Sequence, residues 1–138
     1  VGSGGVKNHE SPRLSETNLK RMKYIKPGGN WTDIPNDLLP KGMQKARKSD
    51  HTMRYGRVRP DGLASTILTK CDPHWGAYFH YSQDRSFTVR EAARIQSFPD
   101  HYVFYGNTSE QFAQVGNAVP PLLAKAIGLS IINLLKQE

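Results

Sequence analysis

One thiol, one carboxamide-bearing loop and a crowd of cationic side chains are the chemical groups this sequence offers. Cys71, in Lys70-Cys71-Asp72-Pro73, is the only cysteine among 138 residues. A thiolate is a strong nucleophile, but a reactive cysteine needs an electropositive, part-exposed setting. The expectation for Cys71 is an inert, part-buried thiol, and no catalytic residue is assigned. A single cysteine excludes an internal disulfide and argues against a cysteine-based metal site. His51, His74, His80 and His101 show no metal-ligand spacing with it, so no metal is expected. Near the C-terminus, Gly116-Asn117-Ala118-Val119 runs into Pro120-Pro121. Small residues just before a helix leave backbone amides free at its N-terminus and admit close approach by a ligand. Asn117 adds two donors and an acceptor. The same pattern also reads as an ordinary loop and cap ahead of a core helix.

The cations are unevenly spread. The formal charge is +7, and thirteen of nineteen Lys and Arg residues lie between Lys7 and Arg59, against five acids in that span. A basic half of this kind suits a polyanion such as nucleic acid, and it suits a solubilising surface equally well. No apolar run reaches the roughly 20 residues needed to span a bilayer. No membrane partner is expected, and a reducing cytoplasm is consistent with the cysteine usage.

These groups must be positioned by short elements. The length makes one domain, and nine prolines with twelve glycines make it loop-rich. The glycine-rich residues 1–8 read as a flexible terminus. Residues 14–25 predict a short helix with Ser15 as N-cap, placing Leu19, Met22 and Ile25 on one side. Pro27-Gly28-Gly29-Asn30 stops it. Residues 41–50 read as a polar loop or a poorly ordered helix. Residues 57–59, 64–69 and 77–81 read as short strands divided by Pro60-Asp61-Gly62 and Asp72-Pro73 turns. Thr88-Val89-Arg90-Glu91 fits a capping box, predicting a helix over residues 89–96 with Ala92, Ala93 and Ile95 or Gln96 inward. Asn107 to Glu110 starts another helix, and Pro120-Pro121 opens a last one with apolar residues at helical spacing. The fold class expected is α+β: a small domain of short twisted strands, two or three short helices and a longer C-terminal helix.

Two blocks stand out by length and order: Phe87-Thr88-Val89-Arg90-Glu91-Ala92-Ala93-Arg94-Ile95-Gln96-Ser97-Phe98-Pro99-Asp100, then Gln114-Val115-Gly116-Asn117-Ala118-Val119-Pro120-Pro121. In this order and at this separation they resemble the last two sequence blocks of the DNA cytosine-5 methyltransferases. Thr66-Ile67 resembles that family's Thr-Leu/Ile pair near the end of the target-recognition domain. His9, Leu14-Ser15-Glu16 and residues 20–35 resemble the recognition region of one bacterial branch. The resemblance spans nearly the whole chain from His9 and is strongest after Tyr55.

The resemblance implies roles. Asn117, Ala118 and Val119 inherit contact with S-adenosylmethionine. Arg90 and Glu91 inherit an architectural role, read here as a buried ionic and capping pair. Thr66 inherits a contact to the DNA backbone beside the target cytosine, where a hydroxyl suits a phosphate; a plain strand threonine is the other reading. Lys70, His74 and Trp75 fall where such proteins carry a base-reading loop, although Trp75 reads as core equally well. Lys20, Lys23 and Lys26, with Arg57 and Arg59, suit a phosphate-tracking surface, or a solvated face. Residues 9–86 then form a basic target-recognition region, and residues 87–138 the C-terminal blocks with a cofactor-side helix.

The sequence departs from the family pattern in one respect. The Pro-Cys nucleophile, the Glu-Asn-Val segment, the Gln-x-Arg-x-Arg segment and the Phe-x-Gly-x-Gly cofactor loop are absent. The implied reaction begins with a cysteine thiolate attacking C6 of a flipped cytosine, which activates C5 toward the methyl group. This chain alone is therefore expected to be inactive. It reads as the recognition and cofactor-closing end of a bacterial, cytoplasmic enzyme acting on double-stranded DNA. It is either a fragment or the small subunit of a split methyltransferase; the alternative is a non-catalytic DNA-binding module. The C-terminal helix would dock on the catalytic domain, or self-associate without it.

Overall fold

The computed structural model of the chain describes residues 5–49 and 53–136. The expected Asp50 and His51 positions and residues 1–4 of the glycine-rich start lie outside them. Four α-helices are present among the described residues: α1 (Glu16–Met22), α2 (Val89–Ile95), α3 (Thr108–Asn117) and α4 (Pro121–Leu135). The caps follow from residue type. Ser15 accepts from the Asn18 N–H to start α1. Thr88 and Glu91 close a reciprocal capping box on α2, and Asn107 and Glu110 do the same on α3. Each box satisfies two orphan amides of the first turn.

Two apolar clusters make the core. The first gathers Met22, Ile25, Trp31, Ile34, Leu39, Met43, Tyr55 and Phe79. Leu19, expected beside Met22 and Ile25, is instead 38% exposed. Trp31 sits in a 3-10 turn, Trp31–Asp33, capped by Asn30 and Asp33. Arg21 braces this cluster from α1, donating to the Leu38 carbonyl at 2.6 Å and lying 5.1 Å from the Tyr55 ring centroid. The second cluster gathers Ile67, Cys71 and Tyr78 with Phe87, Val89, Ala92, Ala93, Phe104, Phe112 and Val115. Packing thus crosses the 86/87 line drawn from sequence, because Ile67, Cys71 and Tyr78 bury themselves against the C-terminal blocks.

Of the segments expected as strands, 57–59 and 77–81 lie side by side, while residues 64–69 form no bridge among the described residues. Val58 N–H donates to Phe79 O, Phe79 N–H to Gly56 O, and Phe87 N–H to Tyr78 O. Among the described residues the pairing is limited to isolated bridges, Arg57 with Phe79 and Phe79 with Ser86. Residues 28 and 29 add a further rung through Gly28 N–H to Arg57 O and Arg57 N–H to Gly29 O. Gly28 has a φ of +84°, a conformation that a side chain would strain.

Residues 7 and 8, at the end of the stretch 1–8 expected to be flexible, are anchored. Asn8 donates to Phe104 O and to Gln111 Oε1, and its Oδ1 accepts from the Phe104 N–H. Lys7 O accepts from Arg90. A φ of +60° at Asn8 suits asparagine, which tolerates the left-handed region.

Helix α4 differs from everything above. None of its residues is buried. Its first amide that can donate, Leu122 N–H, bonds to Ser97 Oγ at 3.1 Å and ties it to the end of α2. Residues 108–135 are together long and apolar enough to cross a membrane by composition, but Ala118 to Pro120 break them into two helices. At 1.5 Å per residue, the 15 residues of α4 reach only about 22 Å, short of a hydrocarbon core of roughly 30 Å.

Candidate functional site

The residues expected to contact DNA divide sharply. Thr66 and Lys70 are exposed, as are Lys20 on α1, Lys23 at its C-cap and Lys26 just beyond. Thr66 is held by its backbone: Tyr78 Oη donates to the Thr66 carbonyl at 2.9 Å and accepts from the Leu68 N–H at 3.1 Å. That clasp leaves the Thr66 hydroxyl free to face outward. Arg13 and Lys70 border one cleft of about 320 Å³ with Ser15, Thr108 and Ser109.

Arg57 and Arg59 are two residues apart and behave oppositely. Arg59 is exposed and pairs with Asp61 at 3.3 Å. Arg57 is buried, donating to Met22 O, His80 O and the Asp84 carboxylate. The expected phosphate contact at Arg57 is thus corrected to an internal tie between α1 and the 80–84 turn. Alternation alone would put residues 57 and 59 on one face; they part because Arg57 meets the Met22 and His80 carbonyls and Asp84 inside the chain, whereas Arg59 lies at the Pro60-Asp61-Gly62 turn beside Asp61.

The 70–76 loop presents its aromatics outward. Trp75 is 54% exposed, which excludes the core reading. The Arg54 guanidinium lies 5.2 Å from its ring centroid, and His74 packs on it edge-on at 4.8 Å. Tyr55 Oη meets His74 Nδ1 at 2.9 Å and fixes the loop to the first cluster. Cys71 at the base of the loop is buried. Burial, with Asp72 beside it, pushes its thiol up to about 12, so the thiolate is essentially absent at neutral pH. Among the described residues no group of three or more His, Cys, Asp and Glu is placed to hold a metal.

In the segment expected to meet the cofactor, Gly116 and Asn117 form the last turn of α3 rather than a loop before the next helix. The expected cradle of free amides is narrowed. Pro120 and Pro121 have no N–H to offer, and Leu122 N–H is taken by Ser97. What the segment presents instead is side chains on a fixed backbone. Gln96 Nε2 donates to Val115 O at 3.2 Å and to Ala118 O at 3.5 Å. Asn117 is exposed with no hydrogen bond to its carboxamide among the described residues, Ala118 is half-buried, and Val119 is 60% exposed.

Arg90 and Glu91 are both structural but do not pair with each other, since consecutive helical residues point about 100° apart. Arg90 is fully buried and donates to Lys7 O, Pro99 O, Tyr102 O and Asn8 Oδ1. Glu91 accepts from Arg85 at 2.6 Å and from the Thr88 N–H at 2.9 Å. Burial works against its charge, but those bonds outweigh it and hold the carboxyl below its ordinary range. Arg85, Tyr78 and Asn8 had no role in the sequence reading. Tyr78, a donor amid the apolar Ala77-Tyr78-Phe79, hinted at an internal partner, whereas Asn8 and Arg85 sit among polar neighbours that gave no such signal.

With this geometry in view, comparison with known proteins is informative. Residues 4–133 match the C-5 cytosine-specific DNA methylase family. The Type II methylase M.HgiDII of Herpetosiphon aurantiacus is 36% identical over 137 residues, covering 96% of this chain and 39% of that protein. The Type II methyltransferase M1.HphI of Haemophilus parahaemolyticus is 40% identical over 133 residues, with 96% and 33% covered. DNA (cytosine-5)-methyltransferase 1A of Oryza sativa subsp. japonica is 39% identical over 140 residues, with 89% and 9% covered. The chain thus spans well under half the length of the curated relatives it matches. It belongs to the C-5 cytosine-specific DNA methylase family.

Proposed function

We propose that this chain is the target-recognition and cofactor-closing part of a bacterial DNA (cytosine-5-)-methyltransferase, working in the cytoplasm on double-stranded DNA. Helix α4 carries the reading. It is the most apolar helix, it closes the matched stretch, and its Leu122, Leu123, Ile127, Ile131, Ile132 and Leu135 are each about half exposed or more. An apolar surface of that extent calls for a partner. The relatives are two and a half times this length or more, so the remainder of such a protein, with the catalytic cysteine, is the occupant we assign. Self-association is the outcome when it is absent.

Asn117, Ala118 and Val119 fit one wall of an S-adenosylmethionine site. An unbonded carboxamide beside an exposed apolar side chain, both on a backbone locked by Gln96, suits a cofactor with polar and apolar faces. When bound, the cofactor supplies the methyl group. The residues of this chain hold and orient it, and the catalytic domain brings the nucleophile. Residues 9–86 grip DNA through Thr66, Lys70, Arg59 and the α1 lysines. The extended segments at 57–59, 64–69 and 77–81 serve as the strands of an α+β domain in this reading.

The deciding experiment follows methyl transfer from labelled cofactor to duplex DNA. The chain alone should transfer none, and the chain with the catalytic part should be active. Asn117→Ala should weaken cofactor binding about tenfold, the scale of one lost hydrogen bond. Transfer by the chain alone would sink the proposal. Duplex binding without any reconstituted transfer would favour a non-catalytic DNA-binding module instead.

A further inference from the structure

Gly116 is where the two candidate surfaces meet. Its backbone is helical, so no left-handed conformation requires glycine there. Space does. A Cβ at this position would stand 2.6 Å from the Leu68 carbonyl carbon and the Thr69 nitrogen, and 2.7 Å from the Leu68 oxygen. Those are backbone atoms, which cannot rotate aside as a side chain would. The 66–69 strip is also gripped by the Tyr78 hydroxyl, and Ile67 is buried in the second cluster. The turn after Gly116 is gripped in its own way by Gln96. Thr66 and Asn117 therefore stand on opposite sides of a backbone-to-backbone contact, with Leu68 two residues from one and Gly116 next to the other.

We propose that Gly116 is a positioning residue that couples the DNA side to the cofactor side. By letting α3 rest directly on the Leu68–Thr69 backbone, it makes any shift of the Thr66 strip a shift of the Asn117 wall. DNA held at Thr66 then tightens cofactor binding, and by linkage the cofactor tightens DNA binding by the same factor. This inference rests on the methyltransferase reading above.

The test measures the dissociation constant of S-adenosylmethionine for the chain assembled with its catalytic part, with and without duplex DNA. The expected tightening by DNA is about tenfold, within the usual range for coupled sites. In Gly116→Ala that factor should fall to near one. Tyr78→Phe frees the strip by removing the hydroxyl clasp without adding bulk and should lower the factor partway; it carries the test if Gly116→Ala does not fold. In the chain by itself, amide exchange at Leu68 and Cys71 should quicken in both variants relative to Met22 and Ile25 in the first cluster. A factor unchanged in both variants, a wild-type factor of one, or unaltered exchange overturns the proposal. An assembly that neither binds cofactor nor methylates overturns the functional reading instead, while exchange still decides whether the contact constrains the strip.

Discussion

Helices α2 and α4 belong to the same C-terminal stretch, yet their burial runs opposite to their composition. The sequence of α2, Val-Arg-Glu-Ala-Ala-Arg-Ile, is half polar, and four of its seven residues are buried, including a whole arginine. The sequence of α4 is nearly all apolar, and none of it is buried. Helix α2 is complete because its polar groups find partners within the chain: Arg90 in the carbonyls of Lys7, Pro99 and Tyr102, and Glu91 in Arg85. Helix α4 has no such cover. Hydrophobicity records how much surface a helix must lose to water, and says nothing about which molecule will cover it.

The widest gap between the helices should appear on assembly. Replacing Ile131 and Leu135 with polar residues is expected to abolish reconstituted methyl transfer and any self-association. The chain's own stability should move by no more than about 0.5 kcal/mol, as for other exposed positions. Light scattering and denaturant melts on the same samples check both halves. A large loss of stability would show that α4 packs on its own chain.

The converse holds for α2. Arg90→Met strands three carbonyls that now accept from a buried guanidinium, and should cost about 3 kcal/mol or more in urea unfolding. A change below about 1 kcal/mol would mean that water replaces the arginine.

Acid should separate the helices further. Glu91 is held below its ordinary value of 4.5. Its contribution is present above that value and is lost as pH falls through the depressed one. His80, kept neutral by burial and by Arg85, titrates below its ordinary 6.5. Protonating the unfolded chain first, it lowers stability in the same direction, starting below pH 6.5. Glu91→Gln should cost about 1–3 kcal/mol at neutral pH and flatten the limb below pH 4.5. If the limb keeps its slope, the Arg85–Glu91 bridge does not govern acid unfolding.

Smaller effects test the surface residues. Neutralising Lys20, Lys23 and Lys26 together should lower the log–log salt slope of duplex binding by up to about one unit per lost phosphate contact. An unchanged slope would mean that they only face solvent. Cys71→Ser should have the least effect on activity, leaving reconstituted transfer intact. Thiol reagents should label Cys71 only after unfolding.

Much of this was legible in the residues. The three caps at Ser15, Thr88 and Asn107 are local, because a side chain reaching an amide three positions on needs no distant partner. The break at Pro120-Pro121 is local too, since proline fixes its own φ and lacks an N–H. The family resemblance named the segments around Thr66 and Asn117 for the same reason: ordered blocks are read in one dimension. Where partners lie far along the chain, the sequence was silent. Asn8 meets Phe104, and Tyr78 meets Thr66 and Leu68. Nothing in the residues says that Arg57 is spent inside while Arg59 faces out, or that Gly116 is small for the sake of Leu68. Composition and local geometry determined where the helices start and stop and that α4 is apolar on a wide face. Only the tertiary structure decided which polar groups are internal, because a hydrogen bond is settled by distance in space and not by separation along the chain.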